Sequence, residues 1–269
     1  MVVNLSWVKL RWGLVLAVCV LLLANLFTGA VSPSQLGLTE PPQIPGQQWQ
    51  VHDIDRPQPP RVVAAYNGEP VLPPADALIL FDGSHLKHFQ NQALMIDGEA
   101  MTIGPGGQET KRSFADMQLH LEWKSPKPVL HDGQNRGNSG ILLMGRYEIQ
   151  VLDSYNNPTY ADGQAGALYG QWPPMVNASR APGQWQSYDI IFKAPRFNKD
   201  QSLRSPAYVT VIHNGVVVQF NRAFYGPARW RDNSKYQYHP ERLPLKLQWH
   251  RSDVQYRNIW LRELDSAAM

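Results

Sequence analysis

The chain has 269 residues, of which 43% are hydrophobic and 17% are charged, and this composition excludes a chain that is disordered throughout. The formal net charge is only +3 and the basic residues are dispersed, which argues against nucleic acid as a partner. A neutral or weakly charged ligand fits better. The single cysteine, Cys19, excludes an internal disulfide.

Residues 1–30 have the pattern of an export signal. Lys9 and Arg11 precede an apolar run over residues 12–27, and small residues of the kind that signal peptidases cleave after follow at 28–30. The run is also close to the roughly 20 apolar residues that span a bilayer, so an uncleaved membrane tether through residues 12–30 is the alternative. Either way, we expect an exported protein, periplasmic or extracellular, that is free or anchored to the membrane.

Residues 31–76 are rich in proline, which favours extended, semi-rigid backbone without a core of its own. We interpret this segment as a linker, part of which can lie against the following domain.

The folded domain is predicted over residues 77–264, where the dominant hydrophobic period is two. The run "ALILFDG" from Ala77 opens it, residues 117–124 alternate strictly, and Asn214-Gly215 joins two strand-like runs as a hairpin turn. Residues 243–250 alternate again, and "YRNIWLREL" supplies a last strand. Because no stretch of this domain shows a long, capped helical period, we predict an all-β sandwich or jelly roll.

The polar faces of three predicted strands carry acid, amide and imidazole groups, which suggest a lined cleft. The residues concerned are Gln118, His120 and Glu122, then Glu148 and Gln150, and then Gln248 and His250.

The stretch "RYEIQVLDS" (146–154) breaks its period near Leu152. A β-bulge at Val151 or Leu152 would return Asp153 to the face of Glu148 and Gln150, and the pattern E-x-Q-x-x-D would then parallel the E-x-D-x-x-E of laminarinase-type glycoside hydrolases. Gln150 cannot ionise, so standard retaining hydrolysis with two carboxyls does not follow. The alternative is a strand that simply ends here, with Asp153 in a turn.

Two glycine-rich loops, "NRGNSGILL" and "ADGQAGALYGQWPP", carry Asn138, Tyr169 and Trp172 near strand ends. Glycine permits close approach of a ligand to the backbone, and aromatic faces stack on sugars. The alternative reading is ordinary turn glycines and core aromatics.

Several long stretches together resemble the 3-keto-disaccharide hydrolase domain family, over residues 77–264. They are "GNSGILLMGRYEIQVLDSY", "GALYGQ", "NASRAPGQWQSYDIIFKAPRF", "VTVIHNGVVVQ" and "LKLQWHRSDVQYRNIWLREL". The resemblance implies a concanavalin-like jelly roll, export, and cleavage of glycosides oxidised to a ketone at sugar carbon 3. Where the family often has Asp-His after "LQ", this chain has Trp249-His250.

A ketone at carbon 3 acidifies the hydrogen on carbon 2, so such an enzyme needs a base, a partner for the enolate oxygen and an acid. We therefore predict catalytic roles for Glu148 or His250 as base and for Asp153 as orienting or protonating group. The predicted substrate-binding residues are Glu122, Asn138, Gln150, Tyr169, Trp172, Arg180 and Gln248. A divalent metal ion is an open alternative, and Glu148, Asp153 and His250 would hold it.

The predicted activity is cleavage of 3-keto-glycosides or disaccharides by proton abstraction at carbon 2, elimination and hydration, with a small carbohydrate as substrate. A non-catalytic, lectin-like sugar-binding module is the competing function, because jelly rolls host both classes. Three titratable groups in one groove would favour the enzyme, since sugar binding alone needs only aromatic and amide groups.

Overall fold

The computed structural model describes residues 40–90, 94–96 and 98–264 of the chain. Two β-sheets dominate this part. The strands are β1 (Leu78–Phe81), β2 (Leu94–Ile96), β3 (Ala100–Thr102), β4 (Gln108–Phe114), β5 (Met117–Lys124), β6 (Ser139–Leu143), β7 (Tyr147–Val151), β8 (Gln186–Lys193), β9 (Arg196–Phe197), β10 (Leu203–Ser205), β11 (Tyr208–His213), β12 (Val216–Ala223), β13 (Leu243–Trp249) and β14 (Gln255–Glu263). Two short 3-10 turns cover Gly133–Asn135 and Ala161–Gly163.

The larger sheet has the order β12-β11-β8-β5-β14-β3-β2, and β1 also pairs with β14. The smaller sheet has the order β4-β13-β6-β7, while β9 and β10 form a separate ribbon. The pairs that define these sheets are antiparallel. The alternating pattern of the sequence therefore produces an all-β sandwich, and the predicted jelly-roll fold class is confirmed.

One hydrophobic core lies between the two sheets. Leu121 and Trp123 of β5 belong to it, and so do Tyr147 and Ile149 of β7. Successive residues of a strand point to opposite faces. The residues between these core positions, Glu122 in β5 and Glu148 in β7, therefore point away from the core on opposite outer faces of the sandwich.

The hairpin predicted at Asn214-Gly215 is present between β11 and β12. Asn214 has φ 53° and Gly215 has φ 83°, the left-handed values that a type I′ turn requires at both central positions. The two residues Asn214 and Gly215 were sufficient to predict this turn, because its geometry depends on their own ability to adopt positive φ.

The predicted β-bulge near the end of β7 is wrong. Pairing of β6 with β7 runs from Leu143↔Tyr147 to Ser139↔Val151 without a register shift, and β7 ends at Val151. Asp153 Oδ1 accepts a hydrogen bond of 3.2 Å from the backbone N–H of Tyr155, as in an Asx turn. The break in the period marks the end of the strand, which is the alternative that the sequence left open.

The described part of the proline-rich segment lies against the domain. Val62 N–H donates to Asn177 O at 2.9 Å, and Asn177 N–H donates to Pro60 O at 2.9 Å. Further along, Val71 N–H donates to Glu122 Oε1 at 3.1 Å, on the outer face of the larger sheet. The segment therefore lies on the domain through hydrogen bonds, and its Ile44 and Val51 are buried as well.

The predicted leader, residues 1–30, lies outside the described residues. No helix within the described ranges is long and apolar enough to cross a membrane.

Candidate active site on the smaller sheet

Glu148 lies on the outer face of the smaller sheet with Tyr169 directly beside it. The loop after β7 continues the sheet, because Ile149 pairs with Leu168 and Tyr169 N–H donates to Glu148 O at 3.3 Å. Residues that pair directly across an antiparallel ladder share a face and have β-carbons about 4.5–5.5 Å apart. The sequence-predicted pair Glu148 and Tyr169 is thus brought together.

The missing side chain of Gly140 leaves space into which the Glu148 carboxyl extends, and this region of the outer face is called the hollow below. Gly140 of β6 pairs with Gln150 on one side and with Gln248 on the other, so three cross-strand neighbours form one row of the outer face. A β-carbon added at Gly140 would lie 2.4 Å from Glu148 Oε1 and 3.2 Å from Gln248 Oε1. The absence of a side chain there leaves both oxygens facing the same small space.

Amide side chains form one wall of this hollow. Gln150 Nε2 donates to Gln134 Oε1 at 3.0 Å, and Asn138 Nδ2 donates to Gln134 O at 2.6 Å. Gln134 Nε2 in turn donates to Gly163 O at 3.0 Å. Gln150 Oε1 is buried without a hydrogen-bond partner among the described residues, so it can accept a hydrogen bond from a ligand hydroxyl.

Burial raises the pKa of Glu148 to about 8. The side chain is nearly inaccessible to water, and no described cation or hydrogen-bond donor offsets the cost of its charge. A carboxyl with this pKa exchanges its proton close to neutral pH, which is the property that general acid–base catalysis requires.

Two tyrosines border Glu148 on the side away from β6. Their hydroxyls, on Tyr160 and Tyr169, share a hydrogen bond of 2.9 Å. Burial, reinforced by the nearby charges of Glu148 and Asp162, raises the pKa of Tyr169 to about 12, although the hydrogen bond with Tyr160 acts in the opposite direction. Both hydroxyls therefore remain protonated near neutral pH and can donate a hydrogen bond or a proton.

His250 is exposed to solvent at the end of β13, the strand that carries Gln248. It directly follows β13, in which Gln248 faces the hollow and Trp249 pairs with Ser139. A cavity of about 530 Å³ is lined by His131, Asn135, Trp249, His250 and Arg251. The imidazole is exposed in this cavity, whereas Glu148 and Gln150 are buried.

Asp153 lines a small cavity of about 70 Å³ together with Arg136 and Gly137. Its Oδ2 accepts a hydrogen bond of 2.8 Å from Arg136 Nε, and its Oδ1 is taken by the Tyr155 N–H. Burial raises the pKa of Asp153, and the hydrogen bond and charge of Arg136 partly offset that effect. With both oxygens hydrogen-bonded, Asp153 anchors the loop at Arg136, and its catalytic role stays a prediction.

Glu122 lies on the outer face of the larger sheet, away from the Glu148 hollow. Its Oε2 accepts from Arg257 Nε at 2.7 Å and its Oε1 accepts from Asn258 Nδ2 at 3.0 Å. Burial by itself would raise the pKa of Glu122, but hydrogen bonds from His120, Asn258 and Arg257 together lower it to about 2. Glu122 is therefore a permanently charged member of a structural network, and its predicted substrate contact is not supported.

Arg180 belongs to the same distant region as Glu122. Its guanidinium donates to Trp185 O at 2.8 Å and to Asn67 O at 3.3 Å, and it lies over the ring of Tyr66. These contacts fasten the segment before the domain, so the structure does not bring Arg180 to the predicted sugar site.

Trp172 is engaged by protein groups. Its ring stacks on Tyr225 with centroids 5.6 Å apart, and the guanidinium of Arg222 lies 4.2 Å from its centroid. A ring held in this way is a packing element, as the alternative interpretation of the sequence allowed.

The alternative metal site does not form. Within residues 40–90, 94–96 and 98–264, no group of three or more His, Cys, Asp or Glu side chains could hold a metal ion. Glu148, Asp153 and His250 are therefore not arranged as a ligand set.

A family model described as the 3-keto-alpha-glucoside-1,2-lyase-like domain matches residues 76–262. The chain belongs to this family. The resemblance inferred from the sequence is thereby confirmed. The matched range contains every predicted site residue, from Glu122 to His250.

Two solved structures from Parabacteroides distasonis are similar to this chain, and both are described as a "putative glycosyl hydrolase". The first is 40% identical, covers 81% of this chain and 99% of that chain, and has a TM-score of 0.70. The second is 17% identical, covers 71% of this chain and 94% of that chain, has a TM-score of 0.50, and shows the fold alone. No curated protein matches the chain.

Sequence reasoning missed four residues that surround Glu148 or its neighbours: Gln134, Gly140, Tyr160 and His52. Gln134 and Gly140 flank Asn138 in a loop that had already been noted as glycine-rich, so a closer reading of that loop could have found them. His52 lies in the proline-rich segment, where no local pattern distinguishes it.

Proposed function

We propose that this protein is a carbohydrate-active enzyme that cleaves 3-keto-glycosides, with Glu148 as the base that removes the proton from sugar carbon 2. The observation that carries the proposal is the Glu148 carboxyl, buried, uncompensated and adjacent to the space above Gly140. The family description, a 3-keto-glucoside 1,2-lyase-like domain, and the description of the first Parabacteroides distasonis relative as a glycosyl hydrolase support the same reaction class.

The proposed reaction has two stages. In the first, the Glu148 carboxylate takes the proton from carbon 2, and the electron pair of that C–H bond forms an enolate with the ketone at carbon 3. The enolate re-forms the ketone and expels the glycosidic oxygen from carbon 1, so a C1–C2 double bond forms and the leaving group takes up a proton. In the second stage, water adds its hydroxyl to carbon 1 and a proton to carbon 2.

The remaining groups of the hollow suit the other requirements of this reaction. The neutral hydroxyl of Tyr169, next to Glu148, can donate to the enolate oxygen or protonate the leaving group. Gln150, Gln248 and Asn138 can hold substrate hydroxyls. His250, which is exposed to solvent, is assigned to contact with the leaving part of the substrate. This route needs one poised carboxyl, which agrees with a non-ionisable glutamine at position 150.

The decisive experiment compares a nitrophenyl 3-keto-glucoside with its unoxidised parent. We expect the wild type to release nitrophenol from the ketone only, because the parent has no acidified hydrogen at carbon 2. Glu148→Gln, which has nearly the same volume, is expected to lower kcat by about 10²–10⁴-fold, the usual contribution of general acid–base catalysis. Tyr238→Phe, at an exposed position, serves as the control and should leave kcat unchanged.

Cleavage of the parent glucoside at an equal rate would overturn the elimination mechanism. Unchanged turnover in Glu148→Gln would remove Glu148 from the base role. Binding of both sugars without cleavage of either would favour the non-catalytic, lectin-like module.

We also propose that the enzyme works outside the cytoplasm, on the evidence of the basic, apolar and small-residue pattern of residues 1–30. The mass of the mature protein from the producing cell tests whether this leader is removed. Recovery of the full-length chain from the cytosol would contradict export.

A further inference from the structure

The proline-rich segment brings a buried histidine to the tyrosine pair of the site. His52 lies before residue 76, where the family match begins, and its side chain is only 4% exposed. Its ring stacks on Tyr160, with centroids 4.1 Å apart and an interplanar angle of 30°, and contacts the ring of Tyr169 at 4.9 Å. A segment outside the matched domain therefore packs directly against the two residues that border Glu148.

His52 is held in place by Asp162, in the short 3-10 turn that follows Tyr160. The backbone N–H of His52 donates to Asp162 Oδ2 at 3.0 Å, and the ring nitrogen Nδ1 of His52 lies 3.6 Å from Asp162 Oδ1. His52 has φ 61°, a left-handed conformation that histidine and asparagine adopt more readily than most residues. Backbone and side chain are thus both constrained at this position.

Burial of the His52 imidazole is energetically unfavourable. Both ring nitrogens of His52 lack a hydrogen-bond partner among the described residues, and so does Asp162 Oδ1. A buried polar group without a hydrogen-bond partner destabilises the folded state. The contacts that His52 does make are those of its ring face, which packs on Tyr160 and Tyr169.

We infer that the proline-rich segment is a working part of the active site and that His52 is a positioning residue, whose ring keeps Tyr160 and Tyr169 aligned beside Glu148. Asp162 holds the backbone of His52, the His52 ring stacks on Tyr160, and the Tyr160 and Tyr169 hydroxyls share a hydrogen bond of 2.9 Å, so the position of His52 affects the position of Tyr169. Tyr169 lies opposite Glu148 in the sheet, so a shift of Tyr160 would misplace the proton donor at the reacting sugar. This inference rests on the proposed function of Glu148 and extends the site beyond the family domain.

Two variants separate the ring from the backbone. His52→Asn tolerates the left-handed backbone but removes the ring, whereas His52→Phe keeps a ring of similar shape. With the nitrophenyl 3-keto-glucoside, we expect His52→Asn to lower kcat about tenfold to hundredfold with KM within about threefold, because small misplacements of catalytic groups act on the chemical step. We expect His52→Phe to stay within about threefold of wild type in kcat.

Ile54→Ala is the matched control, because Ile54 belongs to the same segment and is 67% exposed. It should leave kcat unchanged. Unfolding temperatures of all variants show whether a loss of kcat merely follows a loss of stability. Hydrogen–deuterium exchange over residues 159–172, measured without any sugar, should be faster in His52→Asn than in wild type and near wild type in His52→Phe.

The outcomes are distinguishable. If the wild type is active and His52→Asn keeps its kcat, the inference about His52 fails while the proposed function stands. If His52→Phe loses as much kcat as His52→Asn while its unfolding temperature and its exchange over residues 159–172 match the wild type, alignment by the ring is wrong. If the wild type cleaves no 3-keto-glucoside, the proposed function fails, and unchanged exchange over residues 159–172 in His52→Asn would then overturn the inference as well.

Discussion

Replacing Glu148 by glutamine should stabilise the protein in alkaline solution and leave its stability almost unchanged in acid. The substitution preserves the shape of the side chain and removes its titration. Because Glu148 is buried without a counter-charge, its ionisation opposes folding. The effect is measurable without any substrate, so it tests the electrostatics of the site separately from its chemistry.

The direction and size of this change in the free energy of unfolding follow from the raised pKa of Glu148. In the unfolded chain the Glu148 carboxyl loses its proton around its ordinary value of 4.5, whereas in the folded protein it keeps the proton until about pH 8. Between these values the unfolded state binds fewer protons, so the stability of the wild type falls as the pH rises. At 1.36 kcal/mol per pKa unit, the loss above pH 8 reaches about 5 kcal/mol as an upper bound. The glutamine variant avoids this loss.

The assay is denaturant unfolding of wild type and Glu148→Gln at pH 5 and pH 8.5. We expect similar free energies of unfolding at pH 5 and a variant that is more stable by several kcal/mol at pH 8.5. Glu122→Gln is the matched control of opposite sign, because the Glu122 carboxylate is paired with Arg257; breaking that buried pair should cost about 3–5 kcal/mol near neutral pH. If the stability difference between wild type and Glu148→Gln does not change with pH, the reasoning about an uncompensated buried carboxyl is refuted.

Three further predictions concern catalysis by the same site. If the Glu148 carboxylate is the base, kcat/KM should rise about tenfold per pH unit below its pKa of about 8 and level off above it, and a flat profile between pH 6 and 8 would contradict the assignment. Gly140→Ala should lower kcat by more than about tenfold, since the added β-carbon would lie 2.4 Å from Glu148 Oε1; a fully active variant would show that the space above Gly140 is not used. Asp153→Asn should destabilise the fold by about 1–3 kcal/mol through the weakened contact with Arg136 and keep kcat within about tenfold, whereas a loss of a thousandfold in a folded variant would restore the catalytic role expected from the sequence.

The candidate site was only partly predictable, and the two buried glutamates show why. Glu122 and Glu148 have the same local signature, an acid between two core residues of an alternating strand. Arg257 forms an ion pair with Glu122 and Asn258 donates a hydrogen bond to it, whereas no described residue offsets the charge of Glu148. These partners lie more than a hundred positions away in the chain, so strand pattern alone could not separate a structural carboxylate from a reactive one.

His52 illustrates a second limit. Its environment consists of Tyr160, Tyr169 and Asp162, all of which come from a loop about 110 residues further along the chain. Proline-rich composition predicted extended backbone without a core, whereas the described part also has a bridge between Gln43 and Gln50 and buried side chains at Ile44 and Val51. Composition carries no information about the surface on which that backbone lies.

The sequence by itself determined the properties that depend on neighbours along the chain: strands of period two, the Asn214-Gly215 turn, and the outward direction of Glu148, Gln150 and Gln248. These follow from the geometry of a single strand or turn, which the local residues dictate. Only the tertiary structure decided that Glu122 is paired with Arg257 while Glu148 has no counter-charge among the described residues. It also decided that Asp153 accepts a hydrogen bond from Arg136 and that His52 packs on Tyr160 and Tyr169. Such outcomes depend on which distant groups share a low-dielectric space, because burial and charge pairing set a pKa through three-dimensional proximity.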